Sequence, residues 1–155
     1  MRDFLMRIFY SFHVIEQNLF CYLHYHTWLY TTLRAGGWML ILIECWYAGG
    51  LALALGTLFV LFGTDVIMSP IIYAMNEYPI ITYISYMAIL IIPVSIFFDK
   101  MCDKNEIYKP YFDRFDLESK STKKLWLIIS LLLFAFSIGF TINTVIWCYH
   151  MAQKY

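Results

Sequence analysis

Glu44, Ala48, Ala52 and Gly56 recur every four residues, so on a helix they share one face. Small residues at that spacing let a second helix approach closely, and a carboxyl on the same ridge can hydrogen-bond across the contact. The flanking sequence is apolar. A charged side chain at the centre of a bilayer costs roughly 2.5–3.5 kcal/mol on insertion scales, so such a residue usually marks a partner or a function. The alternative is that Glu44, about a turn and a half past Trp38, is solvated near a helix end.

A second polar line runs through Ser130, Ser137, Thr141, Thr144 and Cys148, in steps of seven, four, three and four. Asn143 lies beside it, with Gly139 and Ala135 one and two turns back. These groups can hydrogen-bond across helices or to Glu44. Helix packing is the first reading and a solute pathway the alternative. Cys21, His24 and His26 suggest a metal site, but His24 and His26 are two apart and fall on different sides of a helix. Two ligands on one face do not make a site, so no metal and no cofactor are expected. HExxH, GxSxG and P-loop patterns are absent, and no paired carboxylates sit in a polar pocket. Asp99, Asp103 and Glu106 are interleaved with lysines and read as a solvated charged face. The expectation is a protein without enzymatic activity.

The elements that carry these residues are membrane-like. Only 14% of the 155 residues are charged, against about a quarter in soluble domains. Trp38–Gly63, Pro79–Phe98 and Leu125–Tyr149 are nearly free of charge, and roughly 20 apolar residues suffice to cross the hydrocarbon core. Phe4–Leu33 mixes aromatic and aliphatic residues with a stripe of His13, Gln17, His24, Thr27 and Thr31. It reads as an amphipathic helix in the interface plane, with a fourth span as the alternative. Ala35-Gly36-Gly37 is expected to break it from the first span. Val66–Tyr78 reads as a short connecting or re-entrant piece, and Pro93 as a kink.

Residues 99–124 form the one strongly polar loop, with Lys100, Lys104, Lys109, Arg114, Lys120, Lys123 and Lys124. Basic residues in short loops set orientation. Placing this loop in the cytoplasm puts every basic residue except Lys154 on one side under the three-span arrangement. Tyr108, Pro110, Tyr111, Phe112 and Phe115 in the same loop read as an interfacial anchor or a docking surface. Equal numbers of basic and acidic residues argue against a nucleic-acid partner. The scattered cysteines, none in a CxxC pair, fit a reduced compartment, and no cleavable signal peptide is expected ahead of the first span.

Ile92-Pro93-Val94-Ser95 at the end of a span, Lys109-Pro110-Tyr111-Phe112 in a mixed-charge loop, and a last apolar span with small polar residues resemble the small immunity proteins that protect bacteria from pore-forming colicins. The resemblance covers roughly Ile92 to Tyr149. It implies a three- or four-span inner-membrane protein that recognises a toxin's hydrophobic helices within the bilayer, and it carries over no residue roles.

The combined expectation is an all-α integral membrane protein forming a single membrane domain over 1–155. It has three spans (38–63, 79–98 and 125–149), the N-terminal helix 4–33, a cytoplasmic loop 99–124, and a bacterial inner membrane as its location. Its partners would be the lipid bilayer and other membrane helices, from a second copy or another protein. Glu44, Ala48, Ala52, Gly56, Ser137, Thr141, Asn143 and Thr144 are the helix-interface or partner-binding candidates. The functional reading is recognition between helices, as an immunity or exclusion protein. The alternatives are a structural subunit of an energy-transducing or secretion complex, and a small oligomeric channel or transporter.

Overall fold

The computed structural model describes residues 2–20, 28–100 and 107–154, and gives only the backbone for 19–20 and 28–33. Cys21, His24, His26 and Thr27, together with residues 101–106 of the polar loop, lie outside the described residues, as do the side chains of Thr31 and its neighbours. Every element among the described residues is a helix. They are α1 (Arg2–Phe20), α2 (Trp28–Phe62), α3 (Thr64–Glu77), α4 (Pro79–Phe98), α5 (Lys109–Asp116) and α6 (Lys120–Lys154).

Among the described residues, three stretches are long and apolar enough to cross a membrane: Arg34–Phe62, Pro79–Phe98 and Lys120–Lys154. Two boundaries differ from the sequence expectation. Ala35-Gly36-Gly37 does not break the chain, because α2 runs unbroken from Trp28 to Phe62. Ala35 is fully buried, and a Cβ added at Gly36 would press to 3.3 Å from the Phe98 ring. The small residues serve close packing there, which repays the modest cost of glycine within a helix. The second correction concerns 99–124, which is not simply loop. It contains α5, and α6 begins at Lys120, capped by the Ser119 hydroxyl, which accepts the Thr122 N–H at 3.2 Å.

The turns between helices have clear causes. Gly63 sits at φ 82 and ψ 150, a backbone region open essentially to glycine, and its N–H still bonds the Phe59 carbonyl at 2.9 Å. That residue stops α2 and redirects the chain into α3. At the other end of α3, Tyr78 precedes Pro79, and a residue before proline is pushed out of the helical region. Pro79 then opens α4 where its missing N–H costs nothing, and the Thr82 hydroxyl bonds the Ala74 carbonyl at 2.9 Å across the turn.

The residues group into two compact units, Met1–Ile43 with Ser95–Phe136, and Glu44–Val94 with Ser137–Tyr155. In the first, Met6, Ile8, Phe9, Tyr10 and Phe12 of α1 are buried with Ala35, Met39, Leu42, Tyr108, Phe112 and Phe115. The aromatic residues Phe9, Tyr10 and Phe12 of α1 are therefore packed against protein. Phe9 meets Phe98, Tyr108 and Phe112 edge-on at centroid distances of 6.0, 5.7 and 5.2 Å, a favoured geometry for aromatic pairs. In the second unit, α4 contributes a single buried residue, Val94.

Candidate helix-recognition surface

Within the second unit α2 and α6 run parallel, since their contacts rise together in number. The Thr141 hydroxyl is shared between the Cys45 carbonyl at 2.6 Å and its own helix's Ser137 carbonyl at 2.9 Å. Further along, a Cβ added at Gly49 would sit 2.6 Å from the Phe140 ring and 3.3 Å from the Thr144 hydroxyl, and one at Gly56 would overlap the Trp147 ring. Trp46 stacks on Phe140 at 5.0 Å. Near the end the Thr64 hydroxyl bonds the Ala152 carbonyl at 3.2 Å. Bulky rings from α6 thus fill positions that only glycine leaves open on α2, which is how helices gain contact where burial of apolar surface supplies no driving force.

The eight residues singled out by sequence separate into two groups. Gly56, Ser137 and Thr144 are buried and Thr141 is half-buried, all in packing within the chain; Ala48 and Ala52 are half-buried. Glu44 and Asn143 are exposed. Glu44 makes no hydrogen bond or ion pair with any described residue. Asn143 donates from Nδ2 to the Gly139 carbonyl of its own helix at 2.7 Å. Within the chain the line of closest contact on α2 is Cys45, Gly49 and Gly56, so of the expected ridge only Gly56 lies on it and Glu44 lies off it. Gly49 was missed because small residues occupy adjacent lines of this helix, and only the rings opposite decide between them. On α6 the residues at steps of seven, Ser130, Ser137 and Thr144, are all buried.

Beside α3 and α4 lies an open apolar groove of about 590 Å³, whose walls include Ile71, Ala74, Ile81, Ser85 and Ile89. The outward face of α4 is exposed throughout, with Ile80 at 74% and Ile84 at 60%.

The first unit holds its own polar cluster, built on α1. Glu16 is 2% exposed; it accepts from the Trp38 indole N–H at 2.6 Å and pairs with Arg34 Nε at 3.1 Å. Sequence gave one hint of this, a carboxylate set among aromatic residues. Arg7 pairs with Glu118 at 2.8 Å and Asp3 at 3.2 Å and lies over the Phe115 and Trp126 rings. Arg114 also pairs with Asp3. Burial opposes ionisation of Asp3, but hydrogen bonds from Arg114 and Arg7 outweigh it and hold the carboxyl below its usual range. The hydrogen bond to Glu118 is the main cause that raises Arg7. Burial, then a 2.5 Å hydrogen bond to Asp116, pushes the Tyr10 hydroxyl far above its ordinary value. His13 shares a hydrogen bond with Gln17 at 3.1 Å, and burial lowers its pKa against the opposing pull of Asp116. These contacts fasten α1 to α5 and to the start of α6.

Among the described residues no group of three or more His, Cys, Asp or Glu side chains is placed to hold a metal ion. No protein-family model, curated protein or solved structure matches the chain.

Proposed function

We propose that the chain is a non-enzymatic integral membrane protein that acts by recognising another protein's helices within the bilayer. A bacterial immunity or exclusion protein is its most concrete form. The observation that supports this reading is α4. A helix of twenty residues, apolar enough to cross a membrane, has one buried residue, Val94, with Phe98 half-buried at the same end. In lipid, helices associate by van der Waals packing and hydrogen bonds between helices, and the Tyr83 and Tyr86 hydroxyls on the exposed side of α4 can take part in such bonds. In this arrangement the basic segment 99–124 faces the cytoplasm and α1 sits at that interface, held by its ion pairs to the loop.

The test places a photo-reactive amino acid at Ile84 or Ile91, both exposed on α4, in cells challenged with pore-forming toxins. The expected result is survival of expressing cells and a cross-link from α4 to a hydrophobic toxin segment. Absence of both protection and cross-link across the toxins tried refutes the immunity form. A stable high-mass complex on mild-detergent native gels without any toxin supports a structural subunit instead, and α4 would then cross-link to a resident membrane protein.

A further inference from the structure

Glu44 and Asn143 are strongly polar side chains within the apolar stretches of α2 and α6, and both are exposed beside the packing of one helix on the other. Their positions are related. Thr141 bonds the backbone of Cys45, so Asn143 lies two residues beyond that level and Glu44 one residue before it. At 1.5 Å per residue, the two stand within about 5 Å of each other in height. Both are well inside apolar stretches, where lipid tails supply neither a donor nor an acceptor.

The two residues also face opposite ways. On α2 the side turned toward α6 carries Cys45, Gly49 and Gly56, and Glu44 lies more than a quarter turn back from it. On α6 the side turned toward α2 carries Phe140, Thr144 and Trp147, and Asn143 lies about a quarter turn back in the same rotational sense. Because the helices are parallel, offsets in the same sense put the two groups on opposite sides of the pair. One side offers a carboxyl without a partner among the described residues. The other offers an amide with one N–H and its oxygen unused by any described residue. Small residues leave room beside each. Ala48 is half-buried next to Glu44, and a Cβ at Gly139, one turn from Asn143, would meet nothing within 4 Å.

We propose that the protein associates with further copies of itself head to tail in the bilayer, Glu44 of one copy accepting a hydrogen bond from Asn143 of the next. The chain carries both halves of the contact, at one depth and on opposite sides, so a second copy is the occupant that fits. A two-fold dimer would instead place like groups together. The inference shares with the proposed function only the premise that α2 and α6 cross a membrane, and it uses a different surface from α4.

The experiment uses full-length protein with its native cysteines replaced, reconstituted in lipid vesicles as Glu44→Cys and Asn143→Cys forms. On oxidation, a mixture of the two is expected to give cross-linked dimers, and either form alone far fewer. Cross-linking of the Glu44→Cys form to itself as strongly as in the mixture overturns the head-to-tail geometry. Absence of any cross-link, with dilution in lipid showing a single-copy species, overturns self-association. In energy-transfer dilution series, Glu44→Leu should weaken association about tenfold. Glu44→Gln, which keeps a hydrogen-bonding group, should weaken it less. Circular dichroism checks that each variant keeps its helix content. A protein that stays monomeric while α4 still cross-links to a toxin refutes this inference and leaves the proposed function standing.

Discussion

Gly49 and Gly50 are neighbours on α2, yet the same substitution should move stability in opposite directions. Replacing either by alanine in a helix interior gains up to about 1 kcal/mol of backbone preference. At Gly50 nothing lies within 4 Å of the new Cβ, so the gain stands alone. At Gly49 the Cβ would come to 2.6 and 2.8 Å from two Phe140 ring carbons, below any real contact, and moving Phe140 away would disturb its stacking on Trp46. Overpacking of this kind costs about 1–3 kcal/mol. The expected result is Gly50→Ala stabilised by up to about 1 kcal/mol and Gly49→Ala destabilised by about 0–2 kcal/mol. Backbone preference cancels in the comparison, so the difference between the neighbours isolates the α2–α6 contact. Reversible unfolding in mixed micelles, followed by circular dichroism and by fluorescence of Trp46 and Trp147, measures both. If the two variants shift together in sign and size, the proposed packing of α6 on the Gly49 side is wrong.

Other substitutions test other joints. Arg34→Met should cost about 3 kcal/mol, because it leaves the buried Glu16 without its cation; the double change with Glu16→Leu should recover most of that in the same unfolding assay. Gly63→Ala should cost of order 1–3 kcal/mol, since alanine cannot easily adopt φ 82 and ψ 150, and it should raise proteolysis at the α2–α3 turn. His13 has a folded pKa below its ordinary 6.5, so the unfolded chain takes up the proton first as the pH falls. Its contribution to stability is whole above pH 6.5 and lost as the pH drops toward the depressed folded value. Melting between pH 7.5 and 5.5 should therefore show a fall that His13→Gln flattens.

The three apolar runs were plain in the sequence because a bilayer-length stretch without charge has few other uses. The hydroxyl stripe on α6 was plain too, since a step of seven residues returns to nearly the same face whatever the partner. The contact line on α2 was not. Ala48, Gly49, Gly50, Ala52, Ala54 and Gly56 put small residues on several lines at once, and the choice among them lies with Phe140, Thr144 and Trp147, about ninety residues away. The same distance hid the role of α1. Its aromatic residues look equally suited to lipid or protein, and the decision rests with Phe98, Tyr108 and Phe112. The Ala35-Gly36-Gly37 stretch misled for the opposite reason: glycine reads as a local breaker, whereas here the ring of Phe98 occupies the space.

The hydroxyl and amide groups of the apolar helices share one habit: most are already closed on their own backbone. Ser130 bonds the carbonyl of Trp126, Thr141 that of Ser137, Asn143 that of Gly139 and Thr144 that of Phe140, each one turn back. Thr57 and Ser85 do the same on α2 and α4. Such bonds form as soon as the helix does, before any neighbour is in place. In the membrane arrangement proposed above, each segment can therefore enter lipid alone with few unsatisfied groups among its described residues besides the Glu44 carboxyl, and assembly can follow as a separate, later event. In that arrangement Glu44 is the residue whose entry into lipid should be slowest.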